Sequence, residues 1–219
     1  MCDKPKCDKG PCEKGPCGRC YFKNPVRVGE KLFNFEGTAV LPSTEFSKIT
    51  SEQLLGKWTV LFSYPLDFTF VCPTEIIAFS EAYDSFQAIN TEVIGISVDS
   101  VYSHLAWINT PRSEGGIGSI KYSIIGDLGG NICKQLGFYL CEAGHALRGT
   151  AIIDPQGIVR HISMNHPDVG RSIEEVLRLV KGYQFAAKHG EVCPASWNEG
   201  SDTIVPKPNE SKSFFKKNY

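Results

Sequence analysis

A single cysteine stands where an apolar strand gives way to a helix, in Tyr64-Pro-Leu-Asp-Phe-Thr-Phe-Val-Cys-Pro-Thr-Glu75. The preceding Lys57-Trp-Thr-Val-Leu-Phe-Ser63 is rich in β-formers and reads as a core strand. Pro73 suits the first helical position, and Glu75, three residues after Cys72, stands where a helix-start carboxylate belongs. Cys72 is therefore predicted at or beside a helix N-terminus, whose partial positive charge favours the thiolate, the form that attacks electrophiles. This points to a reactive sulfur rather than a packing one. Ionisation alone is a modest effect. An ordinary cysteine is already a few per cent thiolate at neutral pH, so complete ionisation gains only about 30-fold. Further groups must stabilise the charge that develops on the atom being displaced.

The elements that would position this sulfur follow from periodicity and turn chemistry. Thr59 to Ser63 is the strand before it, and Glu75 to Ile89 has helical spacing of apolar positions. Glu92 to Val98 and Lys121 to Ile125 read as strands, Ser100 to Asn109 as a helix and Asn131 to Leu136 as a short one. Leu147 to Ile153 and Ile158 to Ser163 are β-rich runs around Asp154-Pro-Gln-Gly157, the pattern of a hairpin. Ser172-Ile-Glu-Glu175 is a capping box opening a long amphipathic helix to about Lys188. The order β-α-β-α-β-α-β-β-α predicts an α/β fold with a central mixed sheet flanked by helices. Three regions result: a flexible cysteine-rich tail at 1–23, a domain at 24–188 and a C-terminal extension at 189–219.

The chain has 219 residues, enough for one ordinary domain with extensions, and 42 % hydrophobic residues, enough for a core. A formal net charge of −1 argues against broad nucleic-acid binding, and no run approaches the ~18 apolar residues of a membrane span. Met1-Cys-Asp-Lys-Pro lacks the apolar stretch of a signal peptide, so the reducing cytoplasm is expected. Of nine cysteines, five (Cys2, Cys7, Cys12, Cys17 and Cys20) lie in a five-residue near-repeat of Pro, Gly, Lys and Asp. The others are Cys72, Cys133, Cys141 and Cys193, and an odd total fits poorly with a secreted disulfide framework.

The run PLDFTFVCPTE resembles the active-site segment of the peroxiredoxins, thiol peroxidases that reduce hydrogen peroxide and organic hydroperoxides. His189-Gly-Glu-Val-Cys-Pro-Ala195 resembles the resolving-cysteine segment of the typical two-cysteine subgroup. The likeness spans roughly residues 24 to 219. It implies a thioredoxin-like fold, no cofactor, and a Cys72 sulfenic acid resolved by Cys193 of the opposite subunit of an obligate homodimer, with a thioredoxin-like reductant and possible ring closure to a decamer. Thr69 and Arg148 are the two candidate donors and match the family's peroxide-binding residues; Thr69 lies close to one helical turn before Cys72, so its hydroxyl is expected to face the same pocket as a donor, and Arg148 offers a fork of N–H donors from a neighbouring strand. Pro65 matches the proline that shields the thiolate, and Glu75 with Arg171 matches a pair that would orient Arg148. Gly115-Gly-Ile-Gly118 resembles the GGLG loop of peroxide-sensitive members, and Phe214-Phe215 stands where those carry Tyr-Phe. Slow resolution by such elements exposes the sulfenic acid to a second oxidation.

Cys133 and Cys141 match no catalytic motif and read as structural. The five histidines lack ligand spacing, so no metal site is expected of them. In the tail, C-x₄-C and C-x₂-C spacings leave three readings open: no essential role, an auxiliary redox relay, or zinc binding. A disulfide oxidoreductase would need C-x-x-C at the strand–helix junction, where this chain has C-P-T-E. A peroxide sensor or holdase chaperone on the same fold is the alternative to a peroxidase.

Overall fold

The computed structural model describes residues 12–14, 20–22 and 24–219. The readings on Cys2, Cys7 and Cys17 lie outside the described residues. Two three-residue strands, β1 (Cys12–Lys14) and β2 (Cys20–Phe22), pair antiparallel, with Cys12 opposite Phe22 and Cys20 opposite Lys14.

The body is built on a seven-stranded mixed sheet. Its strands are β3 (Glu36–Val40), β4 (Phe46–Thr50), β5 (Trp58–Ser63), β6 (Thr91–Ser97), β7 (Ser123–Gly126), β10 (Arg148–Ile153) and β11 (Val159–Asn165). The order is β11-β10-β5-β6-β7-β3-β4, with β5, β6 and β7 parallel and the flanking pairs antiparallel. A small separate hairpin, β8 (Tyr139–Leu140) and β9 (His145–Ala146), precedes β10. The helices are α1 (Cys72–Glu81), α2 (Tyr83–Ala88), α3 (Val101–Asn109), α4 (Asn131–Gln135), α5 (Ile173–His189) and α6 (Ser211–Asn218).

Strand alternation divides the core between the two faces of the sheet. Val60 and Phe62 of β5 join Ile76, Phe79, Trp107, Tyr122 and Val180 on one face. Leu61 joins Ile94, Ile96, Ile125, Phe138, Ile153 and Val159 on the other. Phe62 stacks on Phe79 at 4.2 Å between centroids, which fixes the start of α1 against the end of β5. This is a thioredoxin-like α/β fold, as the element order predicts.

Four differences from the sequence reading have physical causes. The helix opens at Cys72, as Pro73 and Glu75 lead one to expect, but the stretch read as one helix to Ile89 breaks at Ala82 into α1 and α2. The break lets Tyr83 donate to Glu92 at 2.9 Å while Phe86 packs on Phe79. The β3–β4 hairpin went unread because its outer strand is largely exposed and polar, so no apolar alternation marks it. α6 went unread because Pro, Asn, Ser and Lys dominate its sequence; Lys217 anchors it to Asp202 at 2.7 Å. The capping box is half made. Ser172 accepts the Glu175 N–H at 3.2 Å, but the Glu175 carboxylate turns instead to Arg178, with contacts at 2.6 and 2.7 Å.

Candidate active site

Cys72 is the first residue of α1, with Pro73 in the next position, and its side chain is fully buried. Opposite it, Arg148 opens β10 on the strand next to β5. The Arg148 guanidinium lies beside the sulfur, with Nη1 3.4 Å from Cys72 Sγ. Glu75, one turn into α1, accepts from the same Nη1 at 2.6 Å, and Arg148 Nε donates to the Pro167 carbonyl at 2.8 Å. The guanidinium is therefore held from two directions while one nitrogen faces the thiol.

Arg171 completes the cluster from the loop before α5. Its Nε and backbone N–H each donate to Glu75 Oε1 at 2.8 Å, and its Nη2 donates to Oε2 at 3.1 Å. Nη1 of Arg171 donates to the Gly149 carbonyl at 2.6 Å, and the guanidinium lies 5.0 Å from the Phe62 ring centroid. All three charged side chains are nearly inaccessible to water. Burial pushes the Glu75 carboxyl upward, but the Arg171 hydrogen bonds and charge, with Arg148 behind them, outweigh it and hold its pKa below the usual value. Glu75 is thus an ionised bridge between two cations.

The other sequence-derived residues are placed less uniformly. Pro65 is buried in the loop between β5 and α1. Thr69 is half-buried on that loop, but its hydroxyl donates to the Leu66 carbonyl at 2.9 Å. Its proton is committed, so the oxygen is left as an acceptor rather than the donor expected from sequence. Cys193 stands beyond α5, where its thiol contacts the Gly182 carbonyl at 3.6 Å. Burial pushes the Cys193 thiol up and the Arg178 charge opposes it, leaving it above the usual range. Cys72 and Cys193 are not bridged to each other.

The GGIG loop docks on α3, where Trp107 Nε1 donates to the Gly115 carbonyl at 2.8 Å and Arg112 Nε to the Ile117 carbonyl at 3.1 Å. Ile117 is fully buried. A Cβ on Gly116 would fall 1.9 Å from the Thr110 carbonyl oxygen, so only glycine fits there. Phe214 and Phe215 lie on α6, packed edge-to-face at 5.6 Å between centroids, and Phe214 faces the Pro194–Asp202 segment. That segment is tied to α5 where Arg178 donates to the Trp197 carbonyl at 2.8 Å and Lys181 pairs with Glu199 at 2.8 Å.

Some of the machinery had no sequence signal. Asp67, in the loop between β5 and α1, accepts from the Tyr64 hydroxyl at 2.8 Å and meets His104 Nδ1 at 2.8 Å, while its N–H donates to Asp99 at 3.0 Å. His104 is fully buried, and its other ring nitrogen lies 3.3 Å from the Ile125 carbonyl. This network moors the segment that carries Pro65, Thr69 and Cys72. Cys133 is buried at α4 with its N–H on Asp127 at 2.8 Å; burial and then the Asp127 charge push its thiol well up, which disfavours reactivity.

The AhpC/TSA family model matches residues 28–162, and the model described as the C-terminal domain of 1-Cys peroxiredoxin matches residues 182–219. The chain belongs to the peroxiredoxin family. It is 54 % identical to peroxiredoxin-4 of Bos taurus over 183 residues, 84 % of this chain and 66 % of that one. It is likewise 54 % identical over 183 residues to the mitochondrial thioredoxin-dependent peroxide reductase of Mus musculus, covering 84 % of this peroxiredoxin and 71 % of the relative. Among solved structures, the reduced 2-Cys peroxiredoxin of Plasmodium vivax superposes with a TM-score of 0.85 at 39 % identity, covering 88 % of this chain and all of that one.

Proposed function

We propose that this peroxiredoxin is a thiol-dependent peroxidase in which Cys72 attacks the hydroperoxide and Arg148 stabilises the breaking O–O bond. The observation that carries the reading is Arg148 Nη1 at 3.4 Å from Cys72 Sγ while Glu75 and Pro167 hold the rest of the guanidinium. In the first step the thiolate sulfur bonds the terminal oxygen of the hydroperoxide and the O–O bond breaks. The departing oxygen takes the electron pair and a proton, leaving as water or alcohol, and the sulfur becomes a sulfenic acid. Arg148 lies where negative charge grows on the departing oxygen, and such a preorganised donor acts strongly in a buried site. Thr69, whose oxygen is free to accept, takes the hydroperoxide O–H and aligns it for attack. Pro65 keeps water from the sulfur.

The second step joins two subunits. The partner subunit's Cys193 attacks the Cys72 sulfenic sulfur, a disulfide forms and water leaves; a thioredoxin-like dithiol then restores both thiols. Support for this assignment comes from the Gly-Glu-Val-Cys-Pro-Ala segment and from a Cys193 held on its own α5. We read the working unit as a homodimer able to close into a decamer. The compartment is taken as the reducing cytosol, because recycling depends on a dithiol supply. Among the described residues no helix is long and apolar enough to cross a membrane. Non-reducing gels after one equivalent of hydrogen peroxide test the pairing. Wild type is expected to run as a cross-linked dimer and Cys193→Ser as a monomer; a full dimer band from Cys193→Ser would refute the assignment.

Gly115, Gly116 and Gly118 with Phe214 and Phe215 slow the release of the Cys193 segment, so a second peroxide converts the Cys72 sulfenic acid to sulfinic acid. Phe214 has no phenolic hydroxyl to bond through, so sensitivity is expected to be lower than with Tyr-Phe. Mass spectrometry after repeated turnover at high peroxide should find sulfinic acid on Cys72, and a greater share in Phe214→Tyr. No sulfinic acid in either protein would remove the regulatory role.

A further inference from the structure

Among the described residues Arg148 has two anchors, and only one of them is a side chain. Glu75 holds Nη1 from α1, and the Pro167 carbonyl holds Nε from the turn between β11 and α5. A planar guanidinium held at one nitrogen alone can swing about that contact; held at two, its plane and the direction of Nη1 are set. The aim of Arg148 at Cys72 therefore depends on where the Pro167 carbonyl sits.

That position is set by a closed turn beginning directly across the ladder from Arg148. Asn165, the last residue of β11, is the register partner of Arg148 in β10. Its side-chain Nδ2 donates to both the Val169 and Gly170 carbonyls at 3.2 Å, and Val169 N–H donates to the His166 carbonyl at 3.2 Å. The turn is stiffened by Pro167, which fixes its own φ and biases His166 to an extended backbone. It ends at Arg171, whose backbone N–H and guanidinium both reach Glu75. One amide side chain thus closes the loop that carries the second anchor of Arg148 and delivers the second cation to the first anchor.

We infer that Asn165 is a positioning residue for the peroxide reaction: by closing the 165–171 turn it places the Pro167 carbonyl that aims the Arg148 guanidinium at Cys72. It touches neither the sulfur nor the substrate and acts through Arg148. The inference rests on the peroxidase reading above, since it concerns the donor that reading assigns.

The test is a rapid-mixing measurement of Cys72 oxidation by hydrogen peroxide in the full chain. Asn165→Ala removes the donor; Asn165→Asp keeps the size but faces two carbonyls with acceptors, and serves alone if the alanine protein does not fold. Each is expected to slow oxidation about 10-fold, less than the ~10²–10³-fold for losing such a donor outright. The same change in an Arg148→Lys background separates positioning from general damage. A lysine ammonium has no fork for the Pro167 carbonyl to orient, so Asn165→Ala should cost much less there. Wild-type rates in both Asn165 variants, or an equal fold-loss in the two backgrounds, would overturn the inference while leaving the peroxidase reading intact. A wild-type protein that consumes no peroxide would overturn that reading, and this inference with it.

Discussion

Cys72→Ser is expected to reduce peroxide consumption to the background of the buffer, with the folded structure kept. The side chain is fully buried and serine differs by one atom, so circular dichroism and the urea midpoint should change little. The chemistry changes completely. A serine hydroxyl is a weak nucleophile with no adjacent base to activate it, because Arg148 and Arg171 are cations and Glu75 is occupied by both. Nor does oxygen form the stable sulfenic acid on which the cycle depends. Cys193→Ser differs from it in a telling way. It should keep the first turnover at the wild-type rate and lose only the cross-link, since Cys193 makes no contact with the guanidinium cluster. A chaperone-like activity would survive both substitutions, so protection of a heat-denatured client by Cys72→Ser would separate that role from peroxidase work. Peroxide consumption retained by Cys72→Ser would remove the sulfur from the mechanism altogether.

How much of this was readable beforehand depends on what kind of contact does the work. Cys72 and Glu75 were legible because helix-start grammar fixes the relation of residues three apart. Most strands and the 154–157 hairpin were legible because apolar alternation and turn residues carry them. Asp154 bears this out by accepting the Gln156 and Ile158 N–H groups at 2.9 Å. The orientation of Thr69 was not legible. Its hydroxyl had two possible partners, the pocket and the Leu66 carbonyl, and local backbone geometry decided. Asn165 and Pro167 were hidden for a stronger reason: a backbone carbonyl has the same chemistry at every residue, so only the β10–β11 register shows which one meets Arg148. His104 was equally hidden, since its partners Asp67 and Ile125 lie 37 and 21 residues away in sequence. Edge strand β4 and helix α6 escaped because exposed elements bury too little apolar surface to leave a periodic trace.

Glu75→Gln is expected to produce the largest loss of stability, and its pH dependence identifies the cause. The substitution keeps the shape but removes the carboxylate that, among the described residues, bridges Arg148 and Arg171, leaving two buried guanidinium groups without that counter-charge. Breaking a buried pair in this way costs about 3–5 kcal/mol, far more than an exposed pair would. Activity should fall as well, because Arg148 Nη1 loses the charged acceptor that holds it 3.4 Å from the sulfur. The sign of the pH effect follows from linkage. The folded-state carboxyl lies below its ordinary value, so Glu75 contributes stability that is fully present above the unfolded pKa of about 4.3. That contribution is lost as pH falls through the lower folded-state value, where wild type becomes protonated and electrostatically resembles the variant. Urea unfolding of both proteins at pH 7 and at successively lower pH should therefore show a wide gap near neutrality that narrows in acid. A gap that stayed constant would mean the glutamate acts by shape and hydrogen bonding alone, and the bridging charge would have to be abandoned as the element that holds Arg148 in place.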